Sequence, residues 1–180
     1  LWRVGAAVQE ALGHGLAWLG ALPGAVWVVP AAPLWAQAAG LAGAALAVLP
    51  LPWRLRLFAL PLVMPLLLPV PARPEDGRYE VVAVDVGQGT AVLVRTRGHL
   101  LVYDAGPQYS RESDAGQRVL LPLLQARGET RIDRLVLSHR DLDHVGGARP
   151  LLQALPVGEL LSSLEDGHPV LAMAASPVRC

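Results

Sequence analysis

With 180 residues the chain has room for one ordinary domain, yet hydrophobic residues make up 53% and charged residues 17%, a balance that excludes a uniformly solvated globule. The formal net charge of zero excludes a molecule-wide basic field for nucleic acid. A single cysteine, Cys180 at the final position, excludes an intrachain disulfide and a CxxC metal site.

Neutrality hides two unlike segments. Residues 1–72 contain only Arg3, Glu10, Arg54 and Arg56 as charged groups and carry +2, whereas the remaining 108 residues hold twelve arginines and fourteen acids and carry −2. The chain opens at Leu1 without a charged n-region and cleavage site, so no signal peptide is expected, and it is expected to be a piece of a longer protein.

Leu16–Ala32, with Trp18, Trp27 and a central Pro23-Gly24, has the pattern of an interfacial or re-entrant hairpin. Leu34–Leu51 is apolar except for Gln37, and Leu57–Val70 is apolar throughout. A crossing helix needs roughly 20 apolar residues, so the first nearly qualifies, the second is short, and two crossings are expected. Trp53, Arg54 and Arg56 between them form an aromatic and basic cluster, which the positive-inside rule places in the cytoplasm, with the chain beyond Val70 outside. Pro61, Pro65 and Pro69 recur every fourth residue and free backbone carbonyls near one helix face, as a kinked packing helix or a passage lining would.

Three prolines and a turn signal in Pro69–Gly77 end that segment. The organisation is therefore a hydrophobic membrane segment over 1–72, a linker over 73–78 and a soluble α/β domain over 79–180. Tyr79–Asp85, Thr90–Arg95 and Leu100–Asp104 are short β-branched or apolar runs separated by tight turns, which predicts a three-stranded meander. Asp114 and Gln117 open a helix whose apolar set is Val119, Leu120, Leu123 and Leu124 and whose stop is Gly128, with Pro122 as an alternative first turn. Ile132–Ser138 is a buried strand, Val145–Ala154 a short helix and Glu159–Ser162 a last strand, an alternation that suggests one layer of an α/β sandwich.

Directly after the buried strand, Ser138-His139-Arg140-Asp141-Leu142-Asp143-His144-Val145-Gly146-Gly147 sets four candidate ligands within six residues. Strand ends are where α/β sheets place their ligands. Two imidazoles and two carboxylates suit a divalent metal, and the carboxylate share favours manganese over zinc. Each has a bland alternative, a helix N-cap for Asp143 and a satisfied core histidine for His139. Together they are costly at the end of a hydrophobic strand without a cation. His99 and His168 are expected at the surface. Arg95, Arg97, Arg111, Arg118 and Arg140 are candidates for local phosphate contacts.

The loop resembles the HxHxDH signature of the metallo-β-lactamase superfamily, with Asp141 where the second histidine usually stands. Val84-Asp85-Val86-Gly87-Gln88-Gly89, Leu101–Pro107, Asp114–Val119 and Ser138–Gly147 together resemble ComEC-type competence proteins, in which a membrane competence domain precedes such a hydrolase domain. That resemblance implies the first half of an αββα sandwich following the end of a competence domain, in a multi-pass protein of the bacterial inner membrane with the hydrolase domain periplasmic. It implies two divalent ions, one held by His139 and Asp141 and one by Asp143 and His144, with Asp143 also orienting the reacting water. It gives Asp104 the part of a support for the metal loop, where the residues alone leave open an Asp that merely opens the turn before Gly106-Pro107. The implied activity is hydrolysis of the non-imported strand during DNA uptake, with single-stranded DNA, the lipid bilayer and other uptake components as partners.

Two departures accompany the resemblance. Thr90 stands where many relatives carry an acid, so that acid's role is absent here. Only the first half of such a domain is covered, so the 180 residues by themselves are expected to be inactive. A membrane-anchored binding module without the reaction, and a small-molecule metallohydrolase, are the competing readings.

Overall fold

The computed structural model describes residues 2–22, 25, 27–174 and 177–179, the last segment by its backbone alone apart from Val178. Pro23-Gly24, the expected centre of an early hairpin, and Cys180 lie outside the described residues. Helix α1 spans Trp2–Gly20 and buries none of its side chains. It extends past Leu16, where a hairpin arm was expected to begin.

Helices α2 (Leu34–Val48) and α4 (Ala59–Leu67) pack against each other through glycine, with the short α3 (Trp53–Arg56) between them. A Cβ at Gly40 would come within 2.6 Å of Leu66 Cδ2, and one at Gly43 within 2.8 Å of Val63 Cγ2. The two helices therefore touch nearly backbone to backbone, and Arg54 and Arg56 sit in the connection of this apolar hairpin. The expected membrane-crossing helices are not formed: among the described residues no helix is long and apolar enough to cross a membrane. At 1.5 Å per residue α2 is roughly 22 Å long, against roughly 30 Å of hydrocarbon. The cause is local: Pro50 and Pro52 stop α2, and α4, which contains Pro65, ends at Leu67 before Pro69.

Beyond the linker the chain forms a mixed α/β unit. Strands β1 (Glu80–Ala83), β2 (Val92–Arg95) and β3 (Leu100–Tyr103) make the antiparallel meander that the alternating runs predict. β3 then pairs in parallel with β6 (Ile132–Leu137), β6 with β7 (Val157–Ser162), and β7 with β8 (Pro177–Arg179), giving the order β1-β2-β3-β6-β7-β8. Between β3 and β6 lie a small hairpin, β4 (Gln108–Ser110) with β5 (Ser113–Asp114), and a helix that begins as a π-turn at Gly116–Leu120 and continues as α5 (Leu121–Ala126). Asp114 Oδ1 accepts from the Gln117 N–H at 2.8 Å, which fixes the start of that helix, and Gly128 with φ +72 ends it. The expected helix over Val145–Ala154 is instead two, α6 (Leu142–Val145) and α7 (Ala148–Ala154), broken at Gly146-Gly147.

Leu93, Leu100, Val102, Leu135, Leu137 and Leu160 from the sheet meet Leu120, Leu124 and Leu151 from the helices in one buried core. At the opposite pole from the β6 loop, an ion-pair network ties linker to sheet. Arg95, 4% exposed, donates to Glu129 at 2.9 Å, to Glu80 at 2.7 Å and to the Ala72 carbonyl at 3.2 Å. Arg73 meets Glu129 at 2.5 Å, and the Ala31 N–H donates to the Ala126 carbonyl at 2.7 Å. The open end of the apolar hairpin is thus fastened to the end of the sheet away from the metal loop. Hydrogen bonds from Arg127 and Arg95 hold the Glu80 carboxyl below its ordinary 4.5.

Candidate metal centre

β3 and β6 run in parallel, so their C-terminal ends deliver Asp104 and Ser138 side by side. Asp104 is 1% exposed and takes a left-handed backbone, φ 57, which Asp tolerates better than most residues. Its N–H continues the ladder to the Val136 carbonyl at 2.8 Å while its carboxylate turns into the β6 loop. There Oδ1 accepts from the Ser138 N–H at 2.8 Å, and Oδ2 accepts from Ser138 Oγ at 2.8 Å and from His144 Nδ1 at 2.7 Å.

Proton counting fixes both imidazoles. A carboxylate only accepts, so the Ser138 hydroxyl proton is used on Asp104 and His144 carries its proton on Nδ1. Ser138 Oγ, 2.8 Å from His139 Nδ1, then has only a lone pair to offer, so His139 also carries its proton on Nδ1. In the neutral form of each ring the Nε2 atom then keeps its lone pair for a cation. The two rings lie with centroids 3.8 Å apart, tilted by 50°.

Each Nε2 has a carboxylate nearby: Asp141 Oδ2 is 3.5 Å from His139 Nε2, and Asp143 Oδ2 is 3.5 Å from His144 Nε2. His139, Asp143 and His144 each place a ligand atom within 4.8 Å of the others. Asp141 falls outside that group and its side chain is 66% exposed. Neither acid is consumed as a helix cap: Asp141 stands at the N-cap of α6 without a side-chain cap bond, and Asp143 lies in the first turn. The donor set fits a divalent cation, with two imidazoles oriented through Nδ1 and two carboxylates free of other duties.

Three loops interlock to hold this geometry. The Thr90 N–H donates to the Asp143 carbonyl at 3.1 Å, the Ala105 N–H to the His144 carbonyl at 2.7 Å, and the Gly106 N–H to the Thr90 carbonyl at 2.8 Å. Gly89, at φ +149, lies so close to the Asp143 carbonyl that a Cβ there would collide with it. Thr90 thus serves through its backbone.

Sequence reasoning gave Ser138 no role, although its position between the strand and the first histidine was the available signal. Of the candidate phosphate arginines, Arg95 is buried in the linker network, Arg97 pairs with Asp76, and Arg140 meets Glu165 at 2.7 Å. His99 is exposed as expected; His168 is half-buried, with Nδ1 accepting from the Val170 N–H at 3.3 Å.

A family model described as the metallo-beta-lactamase superfamily matches residues 84–176. Similar curated proteins are "Recombination protein 2" of Haemophilus influenzae, 39% identical over 84 residues (47% of this chain, 10% of that protein), and "Competence protein ComA" of Neisseria gonorrhoeae, 35% identical over 147 residues (82% of this chain, 20% of that protein). "ComE operon protein 3" of Bacillus subtilis is 36% identical over 111 residues, covering 55% of this chain and 14% of that protein. The chain therefore spans a tenth to a fifth of the length of these relatives. Their names, with the family match, support the resemblance to ComEC-type competence proteins.

Proposed function

The chain belongs to the metallo-beta-lactamase superfamily, which implies divalent metal binding, and from that premise we propose that it is part of a competence protein whose hydrolase domain cleaves DNA phosphodiesters during uptake. The observation that carries the reading is the paired donor set. His139 Nε2 with Asp141 and His144 Nε2 with Asp143 form two imidazole–carboxylate couples on one loop, and this supports a two-ion site.

Bound metal would supply Lewis acidity and a water that ionises near neutral pH. The chain's own part is to orient the donors. Asp104 and Ser138 hold the Nδ1 sides of both imidazoles and so turn Nε2 forward, and Asp143 adds negative charge beside His144 and a carboxylate to orient the attacking water. The carboxylate share of the donor set favours manganese.

For the first 72 residues we propose contact with the lipid bilayer of the inner membrane. Trp2, Leu12, Trp18, Leu41 and Phe58 are all more than half exposed and need an apolar surround. The hairpin carries Arg54 and Arg56 in its connection and the hydrolase domain at its open end; with that connection towards the cytoplasm the domain faces the periplasm, a crossing that these short helices do not make by themselves and that other parts of the membrane protein would complete. Alkaline phosphatase fused after Gly77 in the full-length protein should be active in intact cells; a silent fusion with an active cytoplasmic reporter reverses the placement.

The central test is Asp143→Ala in the full-length protein. Manganese-dependent hydrolysis of single-stranded DNA should be lost, while undiminished turnover with metal content confirmed would sink the catalytic reading. The competence names of the relatives favour DNA over a small-molecule substrate.

A further inference from the structure

Beside the metal loop, on the outer side of Asp143, lies a groove of about 400 Å³ lined by Gln88, Pro107, Gln108, Tyr109, Leu142 and Asp143. Its walls come from the three interlocked loops, so its shape is set by the hydrogen bonds that hold the metal centre. Tyr109 is fixed by its hydroxyl, which donates to the Val86 carbonyl at 2.9 Å, yet the residue is 44% exposed. Leu142 is 63% exposed although it opens α6. A tethered, exposed ring and an exposed leucine beside a reactive carboxylate are not explained by packing.

The rim has a definite chemistry. Among the described residues the side-chain amides of Gln88 and Gln108 have no hydrogen-bond partner, so each keeps a donor and an acceptor. The Arg118 guanidinium lies 5.9 Å from the centroid of Tyr109, and Arg118 and Arg111 have no carboxylate partner among the described residues, unlike Arg95, Arg97 and Arg140. The groove therefore offers an aromatic surface and free amides beside Asp143, with the Arg118 cation close to the Tyr109 ring. A flat heteroaromatic ring with edge donors and acceptors, joined to an anion, matches all three.

We propose that this groove is a nucleobase subsite: the base flanking the scissile phosphodiester stacks on Tyr109 against Leu142, its edge meets Gln88 or Gln108, and the adjoining phosphate lies near Arg118. The proposal rests on the phosphodiesterase reading and adds to it a contact with the base itself, beyond the phosphodiester backbone. A base inside a duplex is stacked and paired and does not reach such a ring without extrusion, whereas a single strand presents it directly.

Binding and turnover are measured separately on the full-length protein, with a short oligothymidylate and an abasic oligonucleotide of the same length. Anisotropy gives affinity without hydrolysis. Wild type should bind the base-bearing strand roughly tenfold or more tightly, Tyr109→Ala should erase that preference by weakening only the base-bearing strand, and Tyr109→Phe should keep it. Leu142→Ala, at an exposed position, should narrow the preference and guards against a folding defect in Tyr109→Ala. In turnover with manganese the loss should fall on KM rather than kcat. Equal affinity of wild type for the two strands, or a preference that survives both alanine variants, overturns the subsite. Preference without any hydrolysis instead overturns the phosphodiesterase reading and leaves the subsite standing.

Discussion

Asp104 Oδ2 lies 2.7 Å from His144 Nδ1, and the residue that makes this contact holds a left-handed backbone, φ 57, while almost wholly buried. Strain and burial of a carboxylate at one position are tolerated because three donors converge on it. Asp104→Ala should leave the Ser138 N–H and His144 Nδ1 without their acceptor, costing about 1 kcal/mol for each of these half-buried groups. Manganese affinity should fall roughly 10- to 100-fold, because His144 loses the partner that sets its proton and orientation. Titration calorimetry beside denaturant unfolding separates the two effects, and unchanged affinity would remove Asp104 from the metal centre.

Gly89→Ala probes the loop contact from the other side. The residue needs φ +149, and its Cβ would strike the Asp143 carbonyl and approach Pro107 Cδ at 2.9 Å, both on segments fixed by further hydrogen bonds. Stability should drop by more than about 1 kcal/mol, since backbone strain adds to the collision. Metal affinity should fall with it, whereas Gly77→Ala, at φ +78 in open space, should leave metal affinity unchanged.

The meander and the buried strand β6 were legible because alternating or continuous apolar runs end at Gly turns, and the metal loop because four ligand types follow that strand. β4 and β5 were not, since Gln108–Ser110 and Ser113–Asp114 are too short and polar to carry a period. The single helix expected over Val145–Ala154 failed at Gly146-Gly147. A Cβ at Gly147 would collide with the Ala105 carbonyl, so tertiary closeness rather than propensity breaks the helix there. The pull of Asp104 on Ser138 and His144 was invisible because it depends on which strands are neighbours. Hydropathy counted apolar residues correctly in Leu34–Leu51 and Leu57–Val70, but the prolines set the helix lengths.

Removing half of a buried ion pair should be costlier than removing both members. Glu129→Gln leaves the buried Arg95 guanidinium with Glu80 as its remaining carboxylate and takes the partner from Arg73, a loss of roughly 1–3 kcal/mol. Arg95→Met with Glu129→Leu removes both desolvated charges and should recover most of that loss. Denaturant midpoints of the two variants decide it, and a double variant weaker than Glu129→Gln would show that the pair itself is stabilising.

Acid should weaken the linker end of the domain. Arg127, then Arg95, hydrogen-bond the Glu80 carboxylate and hold it below the usual 4.5, so the folded state binds fewer protons there than the unfolded chain. Such a group contributes stability that is fully present above the unfolded value and is lost as pH falls through the depressed folded value. Asp133 acts in the same sense: burial pushes its carboxyl up, but the Leu100 N–H, Arg131 and His99 together outweigh burial and bring it below its usual 3.8. Glu80 is more than a third exposed, so solvent screens its share and the slope it adds is shallow. Unfolding midpoints should therefore be nearly flat from about pH 7 to about pH 5 and decline below that. Glu80→Gln should flatten part of the decline while lowering the plateau, because the amide keeps some hydrogen bonding but not the charge. A variant whose midpoint falls with acid as steeply as wild type would remove Glu80 from the acid response.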